Sequence, residues 1–454
     1  MKNKLFISIY CGLMILLASC NNYLDVKPKG KIIPETAEDF STIIHYWLDD
    51  VIIPNPEVMT TLEMFADDLN ATLASNFGYT SIYVGSAINK NQATYKTLYS
   101  VIKDCNMVIG NMDDTESDLA RTLLGTAWSI RSICYYNLMQ RYCEPYQPET
   151  AKETLGLPLV DDFDMEAKPA RANLKETAEF IEEGFRKALS YNVSNEDFIF
   201  TSSVTKAYFA RFFFWTQNWS SAITYAKEVL EKYPMLEADE YVEAINQKQA
   251  KAHNVIIRSF TMDDDIGTMS YATAQADIKS RPVDRNLVDL FAATDNDVRR
   301  RCNYDSKRIV NKIITTKFRS EELCLIIAEA HAHLNQETDA LGYLNQLRSK
   351  RITQNYIAYT IDNLPEVFQQ NIKTDATGIP LTKLMSAILC ERRKELFVEG
   401  DRWFELKRNG RPEFWVAAKG KKFITEKYLY TFPIPKADIR LFPDLLIQNP
   451  GYIE

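Results

Sequence analysis

Three glutamates near the carboxyl end of the chain are spaced so that one face of a helix could carry an acid–base pair. Glu391, Glu395 and Glu399 recur every four residues in ERRKELFVEGDRWFELKR, which covers residues 391–408. On an α-helix this spacing places the three side chains on one face. Two such carboxyl groups could act as the acid and the base of a glycosidase, an enzyme that uses a pair of carboxyl groups several ångströms apart.

The same segment contains arginines that favour a structural interpretation of those glutamates. They are Arg392, Arg393, Arg402 and Arg408. Guanidinium groups this close would keep the carboxyls ionised, whereas a general acid needs a raised pKa. We therefore predict an ion-pair lattice in which these arginines neutralise the glutamates and fix the helix against its neighbours.

No other spacing in the sequence predicts catalysis or metal binding. His331 and His333 are two residues apart, so a helix would place them on different faces, with one ring in the core and the other in solvent. The sequence contains no G-x-S-x-G elbow, no H-E-x-x-H motif and no glycine-rich phosphate loop. We predict a protein without catalytic residues, metal ligands or cofactors.

The first twenty residues have the composition of a bacterial export signal. Lys2 and Lys4 precede an apolar run over residues 5–18, which is shorter than the roughly 20 residues of a membrane-spanning helix. The run ends in Leu-Ala-Ser-Cys at Cys20, an order similar to the lipobox before a lipidated cysteine. We predict a signal peptide at residues 1–19 and a lipid anchor on Cys20. An ordinary signal peptide with an incidental cysteine is the alternative.

Charge and cysteine content restrict the class of protein. The net charge is −8, and removal of residues 1–19 takes two lysines with it, which leaves 51 basic and 61 acidic side chains and a charge of −10. Such a chain repels phosphate backbones, which excludes nucleic acid as a partner. The six cysteines that follow Cys20 are even in number, as a disulfide framework requires, but they are scattered through apolar segments without short repeated spacings. We therefore expect buried thiols, with disulfides as the alternative.

Helical periodicity dominates the sequence from Thr36 onward. Apolar residues recur at helical intervals in residues 93–112, 119–142, 175–191, 204–215, 222–233, 321–334, 340–351 and 381–408. Strand patterns are short and weak, with one at residues 255–260. The predicted fold class is mostly α.

Part of this pattern has the period of tetratricopeptide helix pairs, about 34 residues. The first copy has Phe209, Ala210, Phe213, Ala222, Ala226 and Val229, and ends at Pro234. The second has Ile327, Ala328, His331, Ala340, Leu344 and Leu347. Small residues at such positions let two helices cross closely. We predict a scaffold of helix pairs with long loop insertions, in which residues 119–142 and 175–191 form a further pair.

Four ordered motifs resemble the SusD/RagB family. Residues 20–28, CNNYLDVKP, resemble the mature start, a lipidated cysteine and then a Leu-Asp-x-x-Pro arm. Residues 391–408 are similar to the family helix E-R-R-x-E-L-x-x-E-G-x-R-W-x-D-L-x-R, with Glu405 where aspartate is usual. Residues 433–452 are similar to its ending, P-I-P…Q-N-P-G-Y, and residues 319–348 fit its repeat helix.

The resemblance implies a surface lipoprotein that captures oligosaccharides without cleaving them. It would deliver them to a SusC-like TonB-dependent transporter, facing the cell exterior from a lipid anchor in the outer membrane. After the signal peptide, the expected parts are an arm at residues 20–35, a helical part with repeats at 36–235 and a carboxyl-terminal part at 236–454, packed together as one globular unit. Some relatives take peptides, so a peptide ligand is the alternative.

In this family the ligand site lies on loops outside the repeats, after the first helices and in the middle of the chain. Aromatic faces pack against sugar rings, and polar groups bond their hydroxyls. The predicted ligand-binding residues are Asp67, Asp68, Asn76, Phe77, Tyr79, Tyr83, Tyr271, Arg281, Asp284 and Tyr304. Two rival functions stay open: a glycosidase that uses an acid pair such as Asp67 and Asp284, and an adaptor whose repeats bind only protein.

Overall fold

Helices make up most of the structure, which confirms the predicted fold class. The computed structural model describes residues 34, 36–52, 56–75, 93–113, 115–162, 164, 168–247, 252–258, 269–292, 296–313, 317–418 and 421–452. Within these ranges no helix has the length and apolar character needed to span a membrane.

Sixteen α-helices lie in the described ranges. The first nine are α1 Ala37–Ile52, α2 Pro56–Phe65, α3 Ala93–Asn111, α4 Asp118–Tyr142, α5 Leu174–Ser190, α6 Ser202–Trp215, α7 Trp219–Lys232, α8 Ala238–Ala244 and α9 Met269–Lys279. The others are α10 Arg285–Val288, α11 Val298–Asn303, α12 Ser320–His333, α13 Glu337–Ser349, α14 Lys383–Glu395, α15 Arg402–Arg408 and α16 Lys436–Leu441. The predicted helical segments agree with these bounds to within a few residues, except for the last.

The helix pairs stack as the repeat pattern predicts. α6 packs against α7, α12 packs against α13, and α7 also packs against α12, so the two repeats form one continuous stack. Ala222 and Ala226 of α7 are fully buried, because closely crossing helices leave no room for larger side chains. α4 and α5 form the further predicted pair, and α3 packs against α4.

Aromatic side chains hold the first repeat against α5. The ring of Phe209 stacks on that of Phe185 with centroids 5.0 Å apart, and the Phe213 ring lies 4.2 Å from Phe209. All three rings are buried, so they contribute hydrophobic stabilisation as well as ring contacts.

Strands are short and paired two by two. In the described ranges β1 Leu155–Pro158 pairs with β2 Arg171–Asn173, β3 Val255–Arg258 with β4 Lys317–Arg319, and β5 Phe414–Ala418 with β6 Lys421–Thr425, all antiparallel. The predicted strand at residues 255–260 is confirmed over β3, and residues 259–260 lie outside the described ranges. β4 leads directly into α12, so its pairing with β3 fixes the start of the second repeat.

The prediction of one helix over residues 381–408 is wrong in its middle. α14 ends at Glu395 and α15 begins at Arg402. Between them the backbone enters the left-handed region at Val398 (φ 57°) and Gly400 (φ 81°), which a right-handed helix cannot continue through. Glu399 therefore lies on the connecting loop and not on a face of α14.

The described cysteines are free thiols in apolar surroundings. Cys105, Cys134, Cys143, Cys302 and Cys324 are buried, and Cys390 is half-buried. Burial raises the pKa of the Cys105 thiol to about 12 and that of Cys143 to about 11. Thiols with so little thiolate are unreactive, as expected for packing residues.

Both histidines of α12 are buried, which corrects the expectation that one of them meets solvent. His331 is 6% exposed, and the side chain of His333 is 3% exposed. The His333 ring stacks on Trp219 with centroids 4.1 Å apart. α7 of the first repeat packs against α12. The face of α12 that the sequence pattern predicted to be exposed is therefore covered.

Candidate functional site

The two glutamates of α14 lie in a buried cluster of basic side chains. The Glu395 carboxylate contacts three guanidinium groups, those of Arg299 at 3.4 Å, Arg319 at 2.9 Å and Arg351 at 3.0 Å. Glu391 pairs with Arg299 at 2.7 Å and with Lys394 at 2.6 Å. Glu399 joins the cluster from its loop, 2.9 Å from Arg319 and 2.6 Å from Lys312. An ion-pair lattice is therefore present, built with basic residues from outside the motif.

The prediction paired the four arginines of the motif with Glu391, Glu395 and Glu399. In the structure these arginines pair with other acidic residues. The pairs are Arg392 with Asp401 (2.6 Å), Arg393 with Asp68 (2.5 Å), Arg402 with Asp67 (2.7 Å) and Arg408 with Glu329 (2.5 Å). Successive helical residues point about 100° apart, so Arg392 and Arg393 leave the face that carries the glutamates. These pairs tie α14 and α15 to α12 and to the loop after α2.

The lattice keeps the glutamates of α14 ionised. Burial by itself would raise the pKa of Glu391, but Lys394, Arg299 and Arg348 lower it to about 2. Burial also opposes ionisation of Glu395, and its three arginines nevertheless hold the pKa well below the ordinary value of 4.5. Neither carboxyl holds a proton at neutral pH, so the pair lacks the general acid of a glycosidase.

Two other buried carboxyls have a raised pKa. Burial and the charge of Asp68 raise the pKa of Glu63 to about 8, and burial raises that of Glu405 to about 7. Both residues are at most 2% exposed. A general acid must reach its substrate, so neither carboxyl is placed to act as one.

The described His, Cys, Asp and Glu side chains form no group of three or more that could hold a metal ion.

The structure brings together the two regions in which ligand contacts were predicted. The backbone N–H of Asn70 donates to the Pro282 carbonyl at 2.8 Å, and that of Asp284 donates to the Asp68 carbonyl at 2.7 Å. The Asn70 side-chain amide donates to the Asp284 carboxylate at 3.0 Å, across 214 residues of sequence. We call residues 66–75 and 280–284 the paired loops.

Asp67 and Asp68 form the base of the paired loops. Their side chains are 6% and 1% exposed. Burial opposes ionisation of Asp67, yet Arg402 and Arg393 hold its pKa below the ordinary value. A dissolved ligand does not reach these carboxylates in this structure, and an Asp67 held ionised cannot be the acid of a pair with Asp284.

Arg281 and Tyr304 also lie inside the protein. Arg281 is 1% exposed, and its guanidinium donates to the Met64 carbonyl at 2.9 Å. Tyr304 is 5% exposed, and its ring packs edge-on against Phe291 with centroids 6.0 Å apart. These two side chains support the loops from beneath, where burial keeps them from a ligand.

Asp284 is half-buried and accepts a 2.9 Å hydrogen bond from the backbone N–H of Asn286 at the start of α10. Ligand contact by Asp284 stays a prediction. Ligand contact by Asn76, Phe77, Tyr79 and Tyr83 also stays a prediction, because these positions lie outside the described ranges. The lipid anchor predicted at Cys20 lies outside them as well. Tyr271 belongs to α9, and its side chain also lies outside the described part of the structure.

The hairpin of β5 and β6, which no motif predicted, packs beside the paired loops. β5 contacts the 3₁₀ turn Ala71–Leu73 in the first of these loops. Trp415 of this hairpin is 60% exposed. The available signal was the aromatic and β-branched residues of FWVAA and KKFIT on either side of a Lys-Gly sequence at residues 419–420, since such residues favour strands and a short glycine-containing turn can join them.

Two family models match the chain. A model described as the SusD family matches residues 302–452. A second, described as starch-binding and associating with the outer membrane, matches residues 22–214. The two matches together cover most of the sequence. No curated protein matches the chain.

Solved structures share the fold at low sequence identity. A SusD superfamily protein from Bacteroides thetaiotaomicron is 17% identical with a TM-score of 0.70, over 91% of this chain and 100% of its own. A SusD-like carbohydrate binding protein from Bacteroides vulgatus is 18% identical with a TM-score of 0.67, over 91% and 98%. A laminarin binding SusD-like protein is 16% identical with a TM-score of 0.60, over 92% and 100%. Given the four sequence motifs, the stacked helix pairs and these matches, the chain belongs to the SusD/RagB family.

Proposed function

We propose that the protein captures oligosaccharides at the cell surface and delivers them uncleaved to a SusC-like TonB-dependent transporter. Membership of the family supports this function, since one matching family model describes starch-binding proteins and one structural relative binds laminarin. A RagB-like peptide-binding protein is the alternative within the same family.

The observation that carries the proposal is the pairing of two distant loops on a base of buried ion pairs. Asp67 and Asp68 hold the loops to α15 and α14 through Arg402 and Arg393. A base fixed in advance loses little conformational entropy on binding. We propose that the half-buried carboxylate of Asp284, on the second of the paired loops, hydrogen-bonds sugar hydroxyls.

Binding without catalysis is the second part of the proposal. It is supported by the state of the carboxyl groups in the motif and beneath the loops. Glu391, Glu395 and Asp67 are held ionised by arginine, and Glu63 is enclosed by protein. A glycosidase needs one proton donor and one carboxylate that both reach the sugar.

A lipid on Cys20 holds the protein on the outer face of the outer membrane. The composition of residues 1–19 supports removal of a leader, and residues 20–35 form the arm from the anchor to the helical body. The description of the family model that covers residues 22–214 includes association with the outer membrane. This location places the paired loops outside the cell, where polysaccharide is available.

Titration of the soluble chain that begins at Asn21 against a panel of oligosaccharides and peptides tests the binding function. We expect at least one oligosaccharide to bind, with no new reducing ends after prolonged incubation. Binding of peptides alone would favour the RagB-like alternative. Product release would contradict the proposal and support the glycosidase.

The same ligand, labelled, tests the location on intact cells that carry the full-length chain. We expect the wild type to retain the ligand at the cell surface and Cys20→Ser to lose it together with metabolically incorporated palmitate. Cys11→Ser, a matched change within the leader, should behave as the wild type. Equal surface retention by Cys20→Ser would overturn the lipid anchor.

A further inference from the structure

The hairpin of β5 and β6 turns apolar side chains toward solvent. Trp415 lies opposite Ile424, and Ala417 lies opposite Lys422. Alternate residues of a strand face opposite sides, so these four side chains share one face. Trp415 is 60% exposed and Ile424 is 46% exposed. The solvated face of an antiparallel pair is normally polar, whereas this face carries two large apolar side chains.

The opposite face of the hairpin anchors it to the body of the protein. Phe414 packs against the main hydrophobic core, and its partner Thr425 is 4% exposed. β5 also contacts Ala71–Leu73 of the paired loops. The exposed Trp415 is therefore carried by a fixed element that adjoins the candidate ligand surface.

We propose that Trp415 is a stacking platform for one sugar ring of the captured oligosaccharide, with Lys422 as a hydrogen-bond donor to its hydroxyls. The inference rests on the proposed function and adds a subsite to it. The planar indole offers an apolar face of the kind that packs against the C–H groups of a sugar. The Lys422 Nζ lies over one face of that ring, 5.3 Å from its centroid, so we place the sugar on the opposite face, with the ammonium group as a donor at the ring's edge.

The size of the exposed face fits a sugar ring better than a protein partner. Aromatic side chains bury about 150–250 Å² when fully covered. The exposed parts of Trp415 and Ile424 therefore offer on the order of 200 Å² of apolar surface. A stable protein interface needs about 800 Å² from each partner, whereas a sugar ring covers an area comparable to one indole.

Calorimetric titration with an oligosaccharide that binds the wild type tests the platform. Trp415→Ala should weaken binding about tenfold or more, as for truncation of an aromatic anchor. Trp415→Phe, which keeps a ring, should lose less, and Lys422→Met should cause a smaller loss than Trp415→Ala. Tyr46→Ala is the matched control, because Tyr46 is 68% exposed on α1, which packs against α3 and α4. Its affinity should equal that of the wild type.

The outcomes separate this subsite from the proposed function. Equal thermal midpoints of the variants, measured by circular dichroism, would establish that an affinity loss comes from the platform and not from unfolding. Unchanged affinity of Trp415→Ala would overturn the platform while the proposed function stands. Failure of the wild type to bind any oligosaccharide would overturn both. A loss confined to binding of phosphatidylglycerol vesicles would identify a membrane contact and also overturn the platform.

Discussion

Glu395 is shared by three guanidinium groups in a part of the protein that excludes water. Arg299, Arg319 and Arg351 come from three different segments and meet at this one carboxylate. A charge taken out of water is stable only while its partners are in place. Glu395 therefore joins segments that the backbone alone would not hold together.

Replacement of this carboxylate by an amide tests that role. Glu395→Gln leaves three buried guanidinium groups short of one negative charge, so we expect the free energy of unfolding to fall by about 3–5 kcal/mol. Urea unfolding followed by circular dichroism measures the change. The matched control is Glu366→Gln, since Glu366 pairs with Lys383 at the surface with its side chain 85% exposed. That change should stay within about 0.5 kcal/mol.

At the scale of single residues, the sequence predicts that the glutamates are paired but not which residues pair with them. The four-residue spacing places Glu391 and Glu395 on one face of α14, and the structure agrees. Their partners Arg299 and Arg351 lie 96 and 44 residues from Glu395 along the chain. Nothing local distinguishes those arginines from solvated ones, because the packing of distant segments decides which side chains meet.

Among the elements, long helices with an apolar face are predictable, while the break between α14 and α15 is not. Helical spacing of apolar residues continues through Phe397 and Val398 into Trp403, so periodicity alone predicts one helix. The turn depends on left-handed backbone at Val398 as well as Gly400. A β-branched residue rarely adopts that conformation, and tertiary contacts such as the 2.7 Å bond from the Gly400 N–H to Glu63 stabilise it.

The close packing of α4 against the segment after α5 can be tested at a glycine. A Cβ added at Gly125 would lie 2.4 Å from Val193 Cγ2 and 2.8 Å from Tyr191 Cβ. We expect Gly125→Ala to lower the free energy of unfolding by about 1–3 kcal/mol, because the neighbours must shift. Gly342→Ala within α13 meets nothing within 4 Å and should raise it by about 0.5–1 kcal/mol. Equal effects of the two changes on the thermal midpoint would contradict this packing.

In the whole molecule, the candidate ligand surface joins segments that are far apart in sequence. The two loop regions could be predicted from where the SusD/RagB family carries its ligand site, but their pairing through Asn70 and Asp284 spans 214 residues. The hairpin that carries Trp415 lies further still along the chain. Residue type alone did not separate the buried Asp68 and Tyr304 from exposed residues of the same kind, since burial depends on which segments fold over them.

Buried ion pairs make the stability of the folded protein depend on pH. Glu329 and Glu391, buried among basic groups, have pKa values lowered from 4.5 to about 2. A carboxyl with a lowered pKa in the folded state stabilises the fold above its unfolded pKa, and this contribution is lost as the pH falls through the folded pKa. We therefore expect the thermal midpoint to decrease steeply between about pH 4.5 and pH 2.

Glu63 contributes in the opposite direction over a different pH range. Its pKa is raised from 4.5 to about 8 by burial and by Asp68, so its contribution is complete below pH 4.5 and is lost as the pH rises through 8. Glu63→Gln should flatten the dependence of the thermal midpoint on pH between 5 and 8, while the loss of stability below pH 4.5 stays. Differential scanning calorimetry of both proteins from pH 2 to 9 measures the two slopes. A wild-type midpoint that stays constant down to pH 3 would contradict the acid dependence, because the paired carboxylates would then be protonated as easily in the folded as in the unfolded chain.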